Sequence, residues 1–288
     1  MNRSRQIYNR TVVVDGLTIF YREAGEQSNP TILLLHGFPT SSTMFKNLLV
    51  ALADRYHLVA PDYPGFGFSD FPLMKHFEYS FNNIAASMQR FVQTIGLKRF
   101  WIYLHDYGCP IGLRICLAAP ERVLGIIVQN GNTYEEGLGP QWNETRDYWQ
   151  HPTIEKKKKV AAFLSKAGTR EQYYAGLPEH LHQLVSPESW ILDWERMKRK
   201  RNIQMQFRLN TTYKSNLEMF PVFQEYFRMH QPKAIVIWGR YDPFFDVAEA
   251  YCYRRDLPDA EIHILEGAHM VLETNFGEVL HLLTEFIR

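Results

Sequence analysis

Cysteine is scarce in this chain: Cys109, Cys116 and Cys252 are the only three. Their number is odd and their spacing fits no zinc site, which argues against a disulfide framework and against a structural zinc. Long apolar runs are also missing. Nowhere does the sequence offer the roughly 20 consecutive apolar residues that cross a bilayer, and the charged start Met1-Asn2-Arg3-Ser4-Arg5 is not followed by the apolar core of a signal peptide. A cytoplasmic protein without a membrane partner is expected. An excess of either charge is lacking too: a formal net charge of +1 gives no electrostatic reason to expect nucleic acid as a partner. Low-complexity segments and internal repeats are absent. Two local basic runs, Lys156 to Lys159 and Arg196 with Lys198, Arg199, Lys200 and Arg201, read as solvated helix faces.

What is present is an ordinary globular composition, 45% apolar and 22% charged, over a length that can bury one large core and carry an insertion. Strand-like runs recur at Thr11 to Val14, Leu17 to Arg22, Thr31 to His36, His57 to Pro61, Phe100 to His105, Val123 to Gln129, Ala234 to Trp238 and Glu261 to Leu265. The first two flank Asp15-Gly16, a two-residue hairpin signal. After it, strands alternate with segments of helical length, so the pattern is α/β with a mostly parallel sheet and right-handed crossovers. Such a sheet carries its site at the carboxyl ends of the strands. The alternation stops after Gly131 and resumes near Lys233. The interval is helical in pattern and is expected to form a cap, which divides the chain into a first core part at 1–131, a helical cap at 132–216 and a second core part at 217–288.

The most telling stretch is Trp101-Ile102-Tyr103-Leu104-His105-Asp106-Tyr107-Gly108, which reads as a strand turning sharply into a helix. Many hydrolases place a serine at the position of Asp106. A serine that attacked a saturated carbon would form an ether, which water does not readily cleave, whereas an alkylated aspartate is an ester and can be hydrolysed. With an ordinary pKa near ~3.9, an aspartate is also ionised at neutral pH and needs no base for the first step. A histidine is then free to serve the second. Cys109, three residues on, is the other possible nucleophile, but the turn favours position 106.

Three further signals fall at strand ends in the matching order. His36-Gly37-Phe38-Pro39 follows the third strand and can aim the backbone N–H of Phe38 into the site, with the N–H of Tyr107 as the second donor of an oxyanion hole. Asp242, in Trp238-Gly239-Arg240-Tyr241-Asp242-Pro243, follows the seventh strand, and His269, in Gly267-Ala268-His269-Met270, follows the last. Alone, Asp242 could merely cap the helix that follows, and His269 could be a satisfied loop histidine. Together with Asp106 they give the order nucleophile, acid, histidine.

On these motifs, together with Asp62-Tyr63-Pro64-Gly65-Phe66-Gly67, the chain resembles the aspartate-nucleophile branch of the α/β-hydrolase superfamily, which includes epoxide hydrolases and haloalkane dehalogenases. The resemblance covers nearly the whole chain and is least distinctive in the cap. Leu104 departs from the small residue of G-x-S-x-G, as dehalogenase-like members do. The resemblance implies an eight-stranded sheet, an Asp106-His269-Asp242 triad, no cofactor, and a small apolar substrate with water as partners. No motif speaks to oligomeric state.

The leaving group divides the branch. Epoxide hydrolases use two cap tyrosines against the opening ring, and Tyr213 and Tyr148 resemble them, although either could simply anchor the cap. Haloalkane dehalogenases follow the nucleophile with tryptophan and often carry an asparagine in the first motif; here Tyr107 and Phe38 stand in those places, so halide binding would fall to Trp142, Trp149 or His151. Fluoroacetate dehalogenases share Phe38-Pro39, but their arginines after the nucleophile are matched by Tyr107 and Pro110. The expected activity is epoxide hydrolysis to a diol, with carbon–halogen hydrolysis as the alternative. A receptor that uses the pocket without turnover is the alternative from another class, and the intact triad speaks against it.

Overall fold

A computed structural model describes residues 6–287, so the charged start Met1 to Arg5 lies outside the described residues. Eight strands form one sheet: β1 (Tyr8–Val14), β2 (Leu17–Ala24), β3 (Thr31–Leu35), β4 (His57–Pro61), β5 (Phe100–His105), β6 (Val123–Gln129), β7 (Lys233–Gly239) and β8 (Glu261–Leu265). Their spatial order is β1-β2-β4-β3-β5-β6-β7-β8. The pairs β1/β2 and β2/β4 are antiparallel and the remaining pairs are parallel. All eight expected strands form, with ends shifted by up to three residues. At the hairpin, Val14 pairs with Leu17 across Asp15 and Gly16, whose φ of 49° and 78° supply the two left-handed residues that a type I′ turn requires.

The parallel strands are apolar on both sides because helices cover both faces. Leu33, Leu35, Ile102, Leu104, Val236 and Trp238 face one core, and their neighbours Ile32, Leu34, Trp101, Tyr103, Ile235 and Ile237 face the other. This is the period-two alternation of a pleated strand, with both faces buried. In chain order, α1 (Lys46–Leu52) precedes α2 (Phe81–Thr94) and α3 (Gly108–Ala118). The first packs on the second core, and the other two pack on the first. Ser80 caps α2 by accepting the Asn83 N–H at 3.2 Å.

Between β6 and β7 run α4 (Asn143–Gln150), α5 (Ile154–Ala161), α6 (Lys166–Tyr174), α7 (Pro187–Met197), α8 (Asn202–Thr212), α9 (Lys214–Leu217) and α10 (Phe220–His230). The core resumes with α11 (Ala248–Cys252), α12 (Val271–Thr274) and α13 (Phe276–Phe286). Among the described residues, no helix is long and apolar enough to cross a membrane.

The helical interval rests on the loops at the carboxyl edge of the sheet. Phe163 meets Phe38 with ring centroids 5.3 Å apart, and the Trp142 indole N–H donates to the Phe244 carbonyl at 2.7 Å. One of the basic runs takes part. Arg199 and Asn202 both donate to the Gly65 carbonyl, at 3.1 and 3.0 Å, and the Arg196 guanidinium lies 3.8 Å from the Phe68 ring centroid. Arg196 and Arg199 are therefore ties to the loop after β4 and not merely solvated charges, because that loop offers a free carbonyl and an aromatic face.

Candidate active site

The strand β5 ends at His105 and α3 begins at Gly108, so Asp106 sits on a two-residue elbow, at the left-handed φ of 50°. Such a backbone is strained for a residue with a Cβ. It persists because the neighbours leave no alternative: the Asp106 N–H donates to the Asn130 carbonyl at 3.1 Å, and its own carbonyl accepts the Cys109 N–H at 2.9 Å. Packing around the elbow needs glycine at two places. A Cβ on Gly108 would come within 2.3 Å of the Leu35 carbonyl oxygen, and one on Gly37 within 2.4 Å of Asp106 Oδ1.

The two oxygens of Asp106 have different surroundings. Oδ1 accepts the Phe38 N–H at 2.5 Å, and the Tyr107 N–H also stabilises the carboxylate. Oδ2 faces Nε2 of His269 at 4.0 Å. The loop that delivers Phe38 is braced by His36, whose Nε2 accepts the Tyr63 N–H at 3.3 Å while its carbonyl accepts the Tyr63 hydroxyl at 2.8 Å. Burial pushes the His36 pKa down to about 4, so the ring is neutral and suited to accept.

His269 donates from Nδ1 to Asp242 Oδ2 at 2.8 Å, and its Nε2 has no hydrogen-bond partner among the described residues. Asp242 holds the imidazole and also braces the turn that follows it, but it does not cap a helix, since α11 begins only at Ala248. Its Oδ1 accepts the N–H groups of Phe244 and Phe245, at 2.7 and 3.2 Å, while its Oδ2 takes the imidazole. Burial opposes a charged imidazole, but the charge and hydrogen bond of Asp242, with Asp106 opposite, outweigh it and raise the His269 pKa. Burial raises the Asp106 carboxyl to about 6 against the pull of His269 and the two N–H donors. This corrects the expectation of an ordinary aspartate, although the group stays mostly ionised at pH 7.

Above Asp106 lies a cavity of about 290 Å³. Its walls include six aromatic residues: Phe38, Tyr107, Trp142, Phe163, Phe244 and Phe245. They also carry Thr145, Gln172 and Asn210, with the exposed Gln141, Glu144 and Lys159.

Of the seven residues with expected side-chain or backbone roles around the carboxylate and in the helical interval, the lining includes Phe38, Tyr107 and Trp142, but not Tyr213, Tyr148, Trp149 or His151. Tyr213 is fully buried, its ring 4.8 Å from Trp142 and 6.0 Å from Tyr107, and its hydroxyl has no partner among the described residues. Tyr148 packs on Phe207, Trp149 on Trp142, and His151 is exposed. The reason is the pose of α4: its first turn, with Glu144 and Thr145, meets the cavity, and its last turn lies beyond it. Trp142 itself lines the cavity, but its N–H is engaged by Phe244. Cys109 is buried outside the lining, and burial raises its thiol pKa.

The chain matches the model of the alpha/beta hydrolase fold family over residues 30–276. It belongs to that family. This α/β hydrolase is 38% identical over 272 residues to an uncharacterized hydrolase of Saccharomyces cerevisiae, which covers 93% of this chain and 92% of that one. A haloalkane dehalogenase 2 of Mycobacterium tuberculosis is 39% identical over 109 residues, 38% of this chain and 37% of its own. Among solved structures, a variant haloalkane dehalogenase from Agrobacterium tumefaciens superposes with a TM-score of 0.76 over 100% of both chains at 20% identity, a likeness of fold. The eight-stranded, mostly parallel sheet flanked by helices is the architecture of the family.

Sequence reasoning did not find Asn130, Phe163, Gln172, Asn210, Phe244 and Phe245. For Asn130 a signal existed: Asn130-Gly131 directly after β6 marks a turn at a strand's carboxyl end. The others depend on how the helices pack.

Proposed function

We propose that this α/β hydrolase acts on a saturated electrophilic carbon through an alkyl ester on Asp106, and that its substrates are epoxides opened to diols. The observation that carries the reading is the division of labour between the Asp106 oxygens: Oδ1 held by backbone N–H groups, Oδ2 free and 4.0 Å from His269 Nε2. In the first step Oδ2 forms a bond to the substrate carbon, and the electron pair of the breaking carbon–oxygen bond moves to the ring oxygen, which takes up a proton. In the second step His269 removes a proton from water, the hydroxide adds to the carboxyl carbon, and the negative charge develops on Oδ1 between the Phe38 and Tyr107 donors. Collapse of this intermediate breaks the ester bond and releases the alcohol, which recovers the proton from His269; the Asp106 carboxyl then loses the remaining water proton, which repays the one taken up by the ring oxygen and restores the carboxylate.

The electrostatics support this order. Asp106 helps to raise the His269 pKa. Esterification removes that charge, so the imidazole becomes easier to deprotonate at the moment a base is needed. Asp242 holds the ring and stabilises its cationic form. The helices of residues 132–216 serve in this reading as a cap that shields the ester from bulk water, and a neutral small substrate and water are the only partners it calls for.

Tyr213 is the donor to the ring oxygen in this reading, supported by a buried hydroxyl that lacks a partner among the described residues and a ring that packs against the cavity-lining Tyr107. Carbon–halogen hydrolysis is the second reading. It is favoured by the stretch shared with a haloalkane dehalogenase and by amide groups on the lining. Against it, the Trp142 N–H is already engaged.

A panel of epoxides and haloalkanes, with diol and halide release both measured, tests the assignment. Single turnover in 18O-labelled water is expected to place label in the Asp106 carboxylate, and Asp106→Ala is expected to abolish turnover. Label in the product alone would overturn the covalent step, and halide release exceeding diol formation across the panel would replace the epoxide by a halide.

A further inference from the structure

Two side-chain amides line the same cavity and lack a partner among the described residues. Gln172, on α6, is only 7% exposed, lines the cavity and makes no side-chain hydrogen bond among the described residues. Asn210, on α8, lines it from another helix, and its Oδ1 is buried with no hydrogen-bond partner among the described residues. A polar atom kept from water without a hydrogen bond is costly, as Asn210 Oδ1 is, and the unpaired Gln172 amide, which opens to the cavity, gains nothing there over a leucine or methionine of similar size. Two such groups converging from separate helices on one cavity are best explained by a ligand that completes their hydrogen bonds.

From this we infer that the cavity contains a subsite for a neutral hydrogen-bonding group of the substrate, held by Gln172 and Asn210; the inference rests on Asp106 attacking a substrate bound in that cavity. The reacting carbon lies among Phe38, Tyr107, Phe244 and Phe245, which offer no side-chain charge. The other end of the substrate meets the two amides. An amide both donates and accepts, so it suits a carbonyl, a hydroxyl or another amide. It does not suit a carboxylate, because an anion taken from water needs a compensating charge. No arginine lines the cavity, and Lys159 is exposed and accompanied by Glu144. A cavity of about 290 Å³ is at the small end for ligand sites, so the substrate is a compact molecule with a reactive carbon at one end and an uncharged polar group at the other.

The test uses matched pairs of terminal epoxides, and matched pairs of 1-bromoalkanes, of equal length, in which the far end is either a methyl group or a primary amide. The wild-type protein is expected to favour the amide member in kcat/KM by about 10-fold or more, the order of one well-formed hydrogen bond. In Gln172→Leu combined with Asn210→Leu, that ratio is expected to fall to about one, chiefly through KM. Gln172→Met, closer in volume to glutamine, is expected to lower the ratio with less disturbance of packing. Equal kcat/KM for both members in the wild type, or an unchanged ratio in the variants that fold, would overturn the subsite. Failure of the underlying reading looks different: no member of any pair would then leave an adduct on Asp106 in His269→Gln, detected by mass spectrometry.

Discussion

Asn130 donates from Nδ2 to Asp242 Oδ2 at 2.7 Å, the same oxygen that accepts His269 Nδ1–H at 2.8 Å. Asn130 also accepts the Gly239 N–H on its Oδ1 at 3.1 Å and has a left-handed φ of 41°. It thus joins the end of β6 to the end of β7 and fixes the carboxylate that holds the imidazole. Asn130→Gly retains the backbone conformation at little strain and removes the amide. Ester hydrolysis is expected to slow by about 10-fold, the worth of one hydrogen bond to a charged group. Without the donor, Asp242 stabilises the imidazolium more strongly, so the pH limb at which His269 becomes a base moves to higher pH. A pre-steady-state profile of adduct decay measures both, and an unmoved limb would count against the positioning role.

Gly37 offers a test of the elbow's geometry. A Cβ there would come within 2.3 Å of the Asp106 Cβ, so Gly37→Ala forces apart the nucleophile and the loop that supplies the Phe38 N–H. The loss of an aligned oxyanion donor is expected to slow ester hydrolysis by about 100-fold, with a lower melting temperature. Wild-type rates in a folded Gly37→Ala would show that the Phe38 N–H is not needed.

The Asp106 pKa, raised to about 6 by burial, predicts the acid limb of the first step. Only the carboxylate attacks, so the alkylation rate is expected to be level above that pH and to fall about tenfold per unit below it. His269 lowers the pKa of Asp106, so His269→Gln should move this limb upward while it blocks release of the adduct. Stopped-flow alkylation rates across pH, measured in both proteins, decide the matter. A limb at the ordinary aspartate pH would refute the burial argument.

A second acid-sensitive site lies away from the cavity. Glu23, on β2, accepts from His57 Nε2 at 2.8 Å and from Gln27 at 3.1 Å and pairs with Arg10. The His57 hydrogen bond is the largest cause that lowers its pKa from 4.5 to about 2. A depressed acid stabilises the folded chain above the unfolded pKa, and the contribution is lost as pH falls from 4.5 towards 2. Glu23→Gln should therefore melt below the wild type at pH 7, and the gap should narrow through that window. A gap independent of pH would assign the effect to packing alone.

The contrast between the sheet and the helices between β6 and β7 follows from where the information lies. Strand ends place Asp106, Asp242 and His269, and strands declare themselves through Thr31–Leu35, Phe100–His105 and Lys233–Gly239, which are apolar on both faces. Local pattern was enough for these. The segment between β6 and β7 was legible only as helix, because which face of α4 or α6 meets a cavity depends on packing between elements distant in sequence. Tyr148 and Trp149 read as well for lining as Gln172 does, yet the structure turns Gln172 inward and sets those aromatics against Phe207 and Trp142.

Tyr213 brings the choice of leaving group to a single measurement. Its hydroxyl is buried and has no partner among the described residues, and such a group costs a fold about 1–3 kcal/mol. If the hydroxyl were only a cap anchor, Tyr213→Phe would relieve that cost and leave the rates alone. If it donates to the oxygen of an opening epoxide, the same change removes a hydrogen bond that is strongest in the transition state, and alkylation should slow by roughly 10-fold to 1,000-fold. Ester hydrolysis should suffer less, because the alkoxide is protonated by then. The expected outcome is a variant at least as heat-stable as the wild type and slower in alkylation by an epoxide. For a bromoalkane of equal length the change should be small, since a bromide leaves without a proton. Equal epoxide alkylation rates in the two proteins would remove Tyr213 from the mechanism and turn the assignment towards dehalogenation.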